Sequence, residues 1–114
     1  MSGPWTLAYR EYSPRRQGRR ESLCALGNGR FVTRGAATDV AADGVHYPGT
    51  YLAGGYDRLT TPIADAQVEN ESLVNVPNWL PLAARIQDDD WLHPDRVEVL
   101  DHHQELDLEG GVLH

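Results

Sequence analysis

Apolar and polar residues alternate with a period of two along much of the chain. Trp5, Leu7 and Tyr9 interleave with Thr6, Ala8 and Arg10, which predicts a first strand over about 5–12. Leu23 to Leu26 forms a short apolar run, and Phe31 to Thr33 carries β-branched residues at 32 and 33. Between them, Asn28-Gly29 tolerates positive φ at both central positions of a turn, so Glu21 to Gly35 reads as strand, type I′ turn, strand. Thr50 to Tyr56 predicts another strand, interrupted at Gly54-Gly55, where paired glycines indicate a bulge.

The remainder is less regular. Ser13 to Arg20, with Pro14, Gly18 and four arginines, reads as an exposed loop. Ala36 to Asp43 reads as a loop with at most one helical turn before Gly44. Leu59 to Glu71 is polar and mixed, with a loop beginning at Thr61-Pro62. In Leu73 to Leu82, Pro77 and Pro81 exclude a helix interior or a central strand and leave an extended, edge-like segment. Leu82, Ala84 and Ile86 alternate, predicting a strand over 81–87, and Asp88-Asp89-Asp90 follows as a turn. Asp95 to Leu108 fits a strand that Gly110-Gly111 turns back into Val112-Leu113. Short strands, frequent turns and little helix predict an all-β fold, an antiparallel β-sandwich.

At 114 residues the chain is long enough for one domain, residues 1–114. A chain ending just after a turn suggests an incomplete one, with unpaired edges and self-association when alone. Hydrophobic content of 40% excludes disorder. Net charge is −7 but uneven: residues 1–34 hold seven arginines against two acids, and residues 35–114 three arginines against fifteen. The acidic remainder argues against nucleic acid as a partner. Nothing resembles a leader or membrane span, and Cys24 is the only cysteine, so a reducing, cytoplasmic setting is expected.

Candidate chemistry is sparse. Glu69 with Glu71, and Asp88 with Asp90, stand two apart, the spacing that shares a strand face, yet glycosidase dyads gather from distant segments. The Asp88 to Asp90 run lacks EF-hand spacing. His93, His102 and His103 suggest a metal, but adjacent strand residues face opposite ways and no cysteine supports them, so no metal site is expected. Ser22 and Ser72 lack a nucleophile-elbow context, no phosphate-binding loop occurs, and Cys24 reads as a buried small hydrophobe. Trp5, Trp79 and Trp91 with five tyrosines suit a core better than a sugar-stacking platform; Trp79, in a Pro-bounded segment, is the exception.

Four stretches in order carry a resemblance. They are Glu21-Ser22-Leu23 into Leu26-Gly27-Asn28-Gly29 and Arg34-Gly35; Pro48-Gly49-Thr50-Tyr51 with Gly54 and Tyr56; Val74 to Leu80; and Glu105 to Leu108 with Gly110, Val112 and Leu113. Together they resemble the N-terminal domain of glycoside hydrolase family 65, which includes trehalose, maltose and kojibiose phosphorylases. The resemblance implies a partial galactose mutarotase-like super-sandwich joined to a catalytic α/α-barrel. In a phosphorylase of the family, a protonated barrel glutamate would act on the glycosidic oxygen while inorganic phosphate, the co-substrate, attacks the opposite face. It implies no other cofactor, and no catalytic residue in this chain. The expected partners are the barrel, an α-glucosidic disaccharide and a second copy in a homo-oligomer. Arg34, Asn75, Asn78 and Trp79 are the residues expected at the barrel interface or sugar-pocket rim; the alternative is that Arg34 and the asparagines only satisfy backbone groups. A second functional reading is a free-standing carbohydrate-binding or subunit-interaction module.

Overall fold

The computed structural model describes residues 3–114. The fold is all-β with one short helix. Its elements are β1 (Thr6–Tyr9), α1 (Pro14–Leu23), β2 (Leu26–Gly27), β3 (Phe31–Thr33), β4 (Thr50–Ile63), β5 (Ala66–Val76), β6 (Gln104–Asp107) and β7 (Val112–Leu113). They form two antiparallel sheets, one in the order β1-β6-β7 and one in the order β2-β3-β4-β5.

The first hairpin forms as the sequence predicts, but its turn is displaced by one residue. The Asn28 N–H donates to the Phe31 carbonyl at 3.2 Å, so Gly29 and Arg30 are the central pair. Gly29 takes φ 84°, while Asn28 keeps negative φ. That is the arrangement of a type II′ turn, which needs glycine only at its first central position. The Asn28 carboxamide oxygen accepts the Arg30 and Phe31 N–H groups, which favours this register over type I′.

Residues 14–23 form a helix, contrary to the loop expected there. Pro14 opens it at the first turn, where its missing N–H costs nothing. Its buried face consists of Gln17, Arg20 and Glu21, at helical spacing but polar. The apolar stripe that reveals most helices is therefore absent. The Arg20 guanidinium donates to the Glu11 carbonyl and lies 4.6 Å from the centre of the Tyr9 ring. Leu23 ends the helix rather than opening a strand, and Cys24 behind it is fully buried.

Leu59 to Glu71, expected as an irregular stretch, belongs to a long β4–β5 arm. Tyr56 pairs with Leu73 and Ile63 with Ala66, with a two-residue tip at Ala64-Asp65. Polar threonines and charged cross-strand partners sustain pairing without burial, so hydropathy gave no signal. The bulge expected at Gly54-Gly55 is present as a register shift between Tyr51 and Tyr56, with Gly54 at φ 80°. β5 is an edge strand of its sheet and ends at Val76, just before Pro77.

Residues 77–103 contain no regular element, so the strand expected over 81–87 is absent, and the last long strand shrinks to Gln104–Asp107. The segment is tied down at points: the Leu82 N–H donates to the Thr38 carbonyl and the Leu92 N–H to the Ala84 carbonyl. Its alternating apolar residues lie exposed, with Leu82 at 70% and Ile86 at 63%. The β6–β7 hairpin forms as predicted around Gly110-Gly111.

The arm makes the molecule elongated. Its radius of gyration is 17.5 Å, against about 13 Å for a sphere-like domain of this length. Among the described residues, only Cys24, Val40 and Leu106 are buried and apolar, whereas Gln17, Arg20, Glu21, Thr33, His46 and Thr50 are buried and polar.

Candidate functional site

Two of the buried polar residues, Glu21 and His46, meet between α1, the 43–47 loop and the 93–95 segment. Glu21 emerges from the helix face with both carboxylate oxygens occupied. Oε1 lies 2.7 Å from His46 Nδ1, and Oε2 accepts the Tyr47 N–H at 2.9 Å. The opposite ring nitrogen, His46 Nε2, lies 3.1 Å from the Tyr12 hydroxyl, which donates to Asp95 Oδ1 at 2.5 Å. Burial, and then the Asp95 hydrogen bond and charge, push the Tyr12 phenol well above its usual range. Asp43 aligns the loop by accepting the Val45 and His46 N–H groups, which hold its carboxyl below the usual range. Motif reading missed this network, because Glu21, His46, Tyr12 and Asp95 are scattered and belong to no spaced pattern.

Arg34 follows β3 and reaches back to the same cluster. Its guanidinium donates to the Gly18 carbonyl at 2.9 Å, lies 3.8 Å from Glu21 Oε2 and sits 5.4 Å from the centre of the Tyr47 ring. Its Nε is buried without a partner. Trp79 is 62% exposed, yet it is held in place. Its indole N–H donates to the Thr33 hydroxyl at 3.1 Å, and its ring meets Phe31 edge-on at 6.4 Å. Arg34 and Trp79 thus border one cleft of about 830 Å³, lined by residues of both sheets.

The two asparagines do not join them on that cleft. Asn75 Oδ1 accepts the Thr50 N–H and its Nδ2 donates to the Pro48 carbonyl. A side chain at Gly49 would meet Asn75 at 2.9 Å, so this close fit fixes the start of β4. Asn78 Oδ1 accepts the Leu80 N–H and shapes the turn that presents Trp79.

The other candidates separate. Glu69 and Glu71 both face Arg58, at 3.7 and 2.7 Å, on the exposed arm. Asp88 and Asp90 are exposed. Ser22 Oγ donates within the helix to the Gly18 carbonyl. Burial raises the Cys24 thiol, which disfavours the reactive thiolate. His93 does not meet His102 or His103 but stands with Asp43 and Asp95, their ligand atoms within 4.8 Å. Burial lowers His102, which stacks edge-on against Tyr12 at 5.7 Å. The Tyr12 hydroxyl, His46 and Glu21 do line up as hydroxyl, imidazole and carboxylate, but the hydroxyl donates to Asp95 and burial disfavours its phenolate.

The model of the glycosyl hydrolase family 65 N-terminal domain matches residues 7–114. An uncharacterized glycosyl hydrolase of Mycobacterium tuberculosis (strain H37Rv) is 48% identical over 110 residues, which are 96% of this chain and 8% of that protein. Trehalose 6-phosphate phosphorylase of Lactococcus lactis is 42% identical over 76 residues, covering 65% of this chain and 10% of the enzyme. Kojibiose phosphorylase of Caldanaerobacter subterraneus is 34% identical over 109 residues, 96% of this chain and 13% of the enzyme. Among solved structures, a provisionally named kojibiose phosphorylase from the human microbiome superposes with a TM-score of 0.82 at 25% identity, over 97% of this chain and 15% of that one. The chain therefore spans a small fraction of the length of the relatives it matches. A match over nearly all of its residues, with the same two-sheet architecture, places this chain in glycosyl hydrolase family 65, as part of the family's N-terminal domain.

Proposed function

We propose that this domain supports the catalytic α/α-barrel of an enzyme that phosphorolyses an α-glucosidic disaccharide, such as trehalose, maltose or kojibiose. Inorganic phosphate is the co-substrate and the cytoplasm is the compartment. The phosphorylases among its relatives favour phosphorolysis. The domain supplies no catalytic residue. Its contribution is to shape the rim of the sugar pocket.

The observation that carries this reading is Trp79. An indole 62% exposed and immobilised from behind by Thr33 and Phe31 suits stacking against a sugar ring. Arg34 stands on the same cleft, while Asn78 and Asn75 hold the turn and strand that set the rim. Kinetics of the complete enzyme test it. Trp79→Ala is expected to raise KM for the disaccharide about tenfold and leave kcat nearly unchanged, the signature of lost uniform binding. Unchanged KM in both Trp79→Ala and Asn78→Ala variants would sink the rim assignment.

The same exposed indole supports a second reading, a carbohydrate-binding module independent of any barrel. Titration of this chain with trehalose and maltose separates the two. Binding at millimolar concentration or tighter favours the module; its absence favours the rim.

A further inference from the structure

Three metal-ligating side chains meet beside the Glu21–His46 contact. Asp43 comes from the loop before β4, and His93 and Asp95 come from the irregular 77–103 segment. One ligand atom of each lies within 4.8 Å of the other two. The hydrogen bonds leave one oxygen of each carboxylate free. Asp43 accepts the Val45 and His46 N–H groups on Oδ1, and Asp95 accepts the Tyr12 hydroxyl on Oδ1. Among the described residues, no hydrogen bond reaches either Oδ2.

Protons are scarce around Asp95 Oδ2. His93 Nδ1 lies 3.8 Å from it and accepts the Asp95 N–H at 3.2 Å, so this nitrogen presents a lone pair. His46 Nε2 lies 3.6 Å from the same oxygen, on a side chain only 3% exposed. With Nδ1 of that ring donating to Glu21 and the Tyr12 proton given to Asp95 Oδ1, His46 Nε2 has no proton donor. Two ring nitrogens and a carboxylate oxygen thus face one another with no hydrogen between them. Buried acceptors are normally satisfied, and acceptors gathered around a carboxylate call for a positive charge.

We propose that Asp43, His93 and Asp95 together bind a divalent transition-metal cation, zinc above all, which staples the irregular 77–103 segment to the loop before β4. The donor set selects the ion. One imidazole nitrogen with two carboxylates suits zinc, whereas magnesium and calcium prefer oxygen ligands throughout. Zinc holds such ligands at about 2.1 Å, which sets tetrahedral ligand atoms about 3.4 Å apart. The cluster, spread over no more than 4.8 Å, closes on the ion by small side-chain movements. Exposure of Asp43 and Asp95 leaves the fourth position to water. A cross-link matters here because the 77–103 segment contains no regular element and no buried residue. His46 stays outside the ligand set and aims at Asp95, as supporting groups do around a metal. Trp79 takes no part, so the proposal does not rest on the sugar-pocket reading.

Zinc titration of the complete enzyme, first stripped with a chelator, tests it. Equilibrium dialysis is expected to find one zinc per chain that Asp43→Asn and His93→Gln each weaken about 100-fold. Zinc is expected to raise the melting temperature of the parent by several degrees and to leave both variants unmoved. Asparagine at position 43 keeps an Oδ1 that can accept the Val45 and His46 N–H groups, so this variant separates a lost metal from a lost turn. Without metal, its melting temperature is expected to match that of the parent. Zinc bound equally by the parent and both variants places the ion elsewhere and overturns the proposal. So does a melting temperature indifferent to zinc, which leaves a proton on His46 as the positive charge beside Asp95. Failure of the Trp79 kinetics leaves these outcomes untouched.

Discussion

His46 Nδ1 lies 2.7 Å from Glu21 Oε1, and both side chains are at least 95% buried. This contact joins the helix to the loop that precedes β4, and through Tyr12 it reaches Asp95 in the irregular segment. With few apolar residues buried, the domain relies on this polar centre to hold its segments in place. Glu21→Ala removes the acceptor for three groups at once: His46, the Tyr47 N–H and the more distant Arg34 guanidinium. The expected loss is about 3 kcal/mol, as for a buried pair broken on one side. Urea unfolding of the variant and the parent measures it. A loss under about 0.5 kcal/mol would mean that the apolar contacts alone hold the helix.

Two glycines of the first hairpin region serve different purposes and predict different costs. At Gly35 a Cβ would stand 2.6 Å from the Cys24 carbonyl oxygen and 2.7 Å from the Cys24 Cβ, so backbone would have to move. At Gly29 nothing lies within 4 Å, and only the φ of 84° opposes a side chain. Gly35→Ala is expected to cost about 3 kcal/mol through overpacking, and Gly29→Ala about 1 kcal/mol through left-handed strain. Thermal melts of both variants check the order; equal costs would show that the Cys24 contact yields easily.

These residues also show where sequence reading succeeds. The hairpin, the Gly54-Gly55 bulge, the β6–β7 turn and the end of β5 before Pro77 rest on local backbone chemistry that Asn, Gly and Pro impose. α1 escaped because its buried face is Gln17, Arg20 and Glu21, stabilised by partners distant in sequence. The arm escaped because its pairing is cross-strand, Arg58 against Glu71, rather than burial. Leu82, Ala84 and Ile86 alternate without forming a strand because no neighbouring strand pairs with them. Of the four residues expected at a rim, Arg34 and Trp79 share the cleft; they stand 45 positions apart, so the resemblance grouped them where no local pattern does. No local pattern joins Glu21 to His46 either, and that contact was illegible.

Alkaline stability tests the Tyr12 environment. Its phenol is raised by burial first and by Asp95 second. The native state therefore keeps a proton that the unfolded chain releases near the ordinary tyrosine value of about 10. The stabilisation is full below that pH and is lost as pH rises above it. Tyr51 and Cys24, also raised by burial, add to the same limb. The unfolding free energy is expected to fall between pH 9 and 12, more gently in Tyr12→Phe. Identical slopes would place Tyr12 in a solvent-like setting. His102, lowered by burial, acts on the acid side: its contribution is present above about pH 6.5 and is lost on acidification, so His102→Gln should flatten that limb.

The arm's tip offers a stabilising change. Ala64 is held at φ 53°, a conformation that costs an L-residue about 1 kcal/mol and glycine almost nothing. It occupies the first position of the two-residue tip between Ile63 and Ala66, where a hairpin turn asks for glycine. Glycine also gives the unfolded chain more freedom, which offsets part of the gain. Ala64→Gly is therefore expected to stabilise the arm by about 0.5 kcal/mol. The outer arm shares no packed core with the sheets, so the gain should appear locally rather than in the global melt. Amide exchange at Ile63 and Ala66 should slow about twofold, while exchange at Leu106 in the other sheet stays unchanged. Faster exchange at the tip would mean that Ala64 sits comfortably and that glycine's unfolded-state entropy dominates.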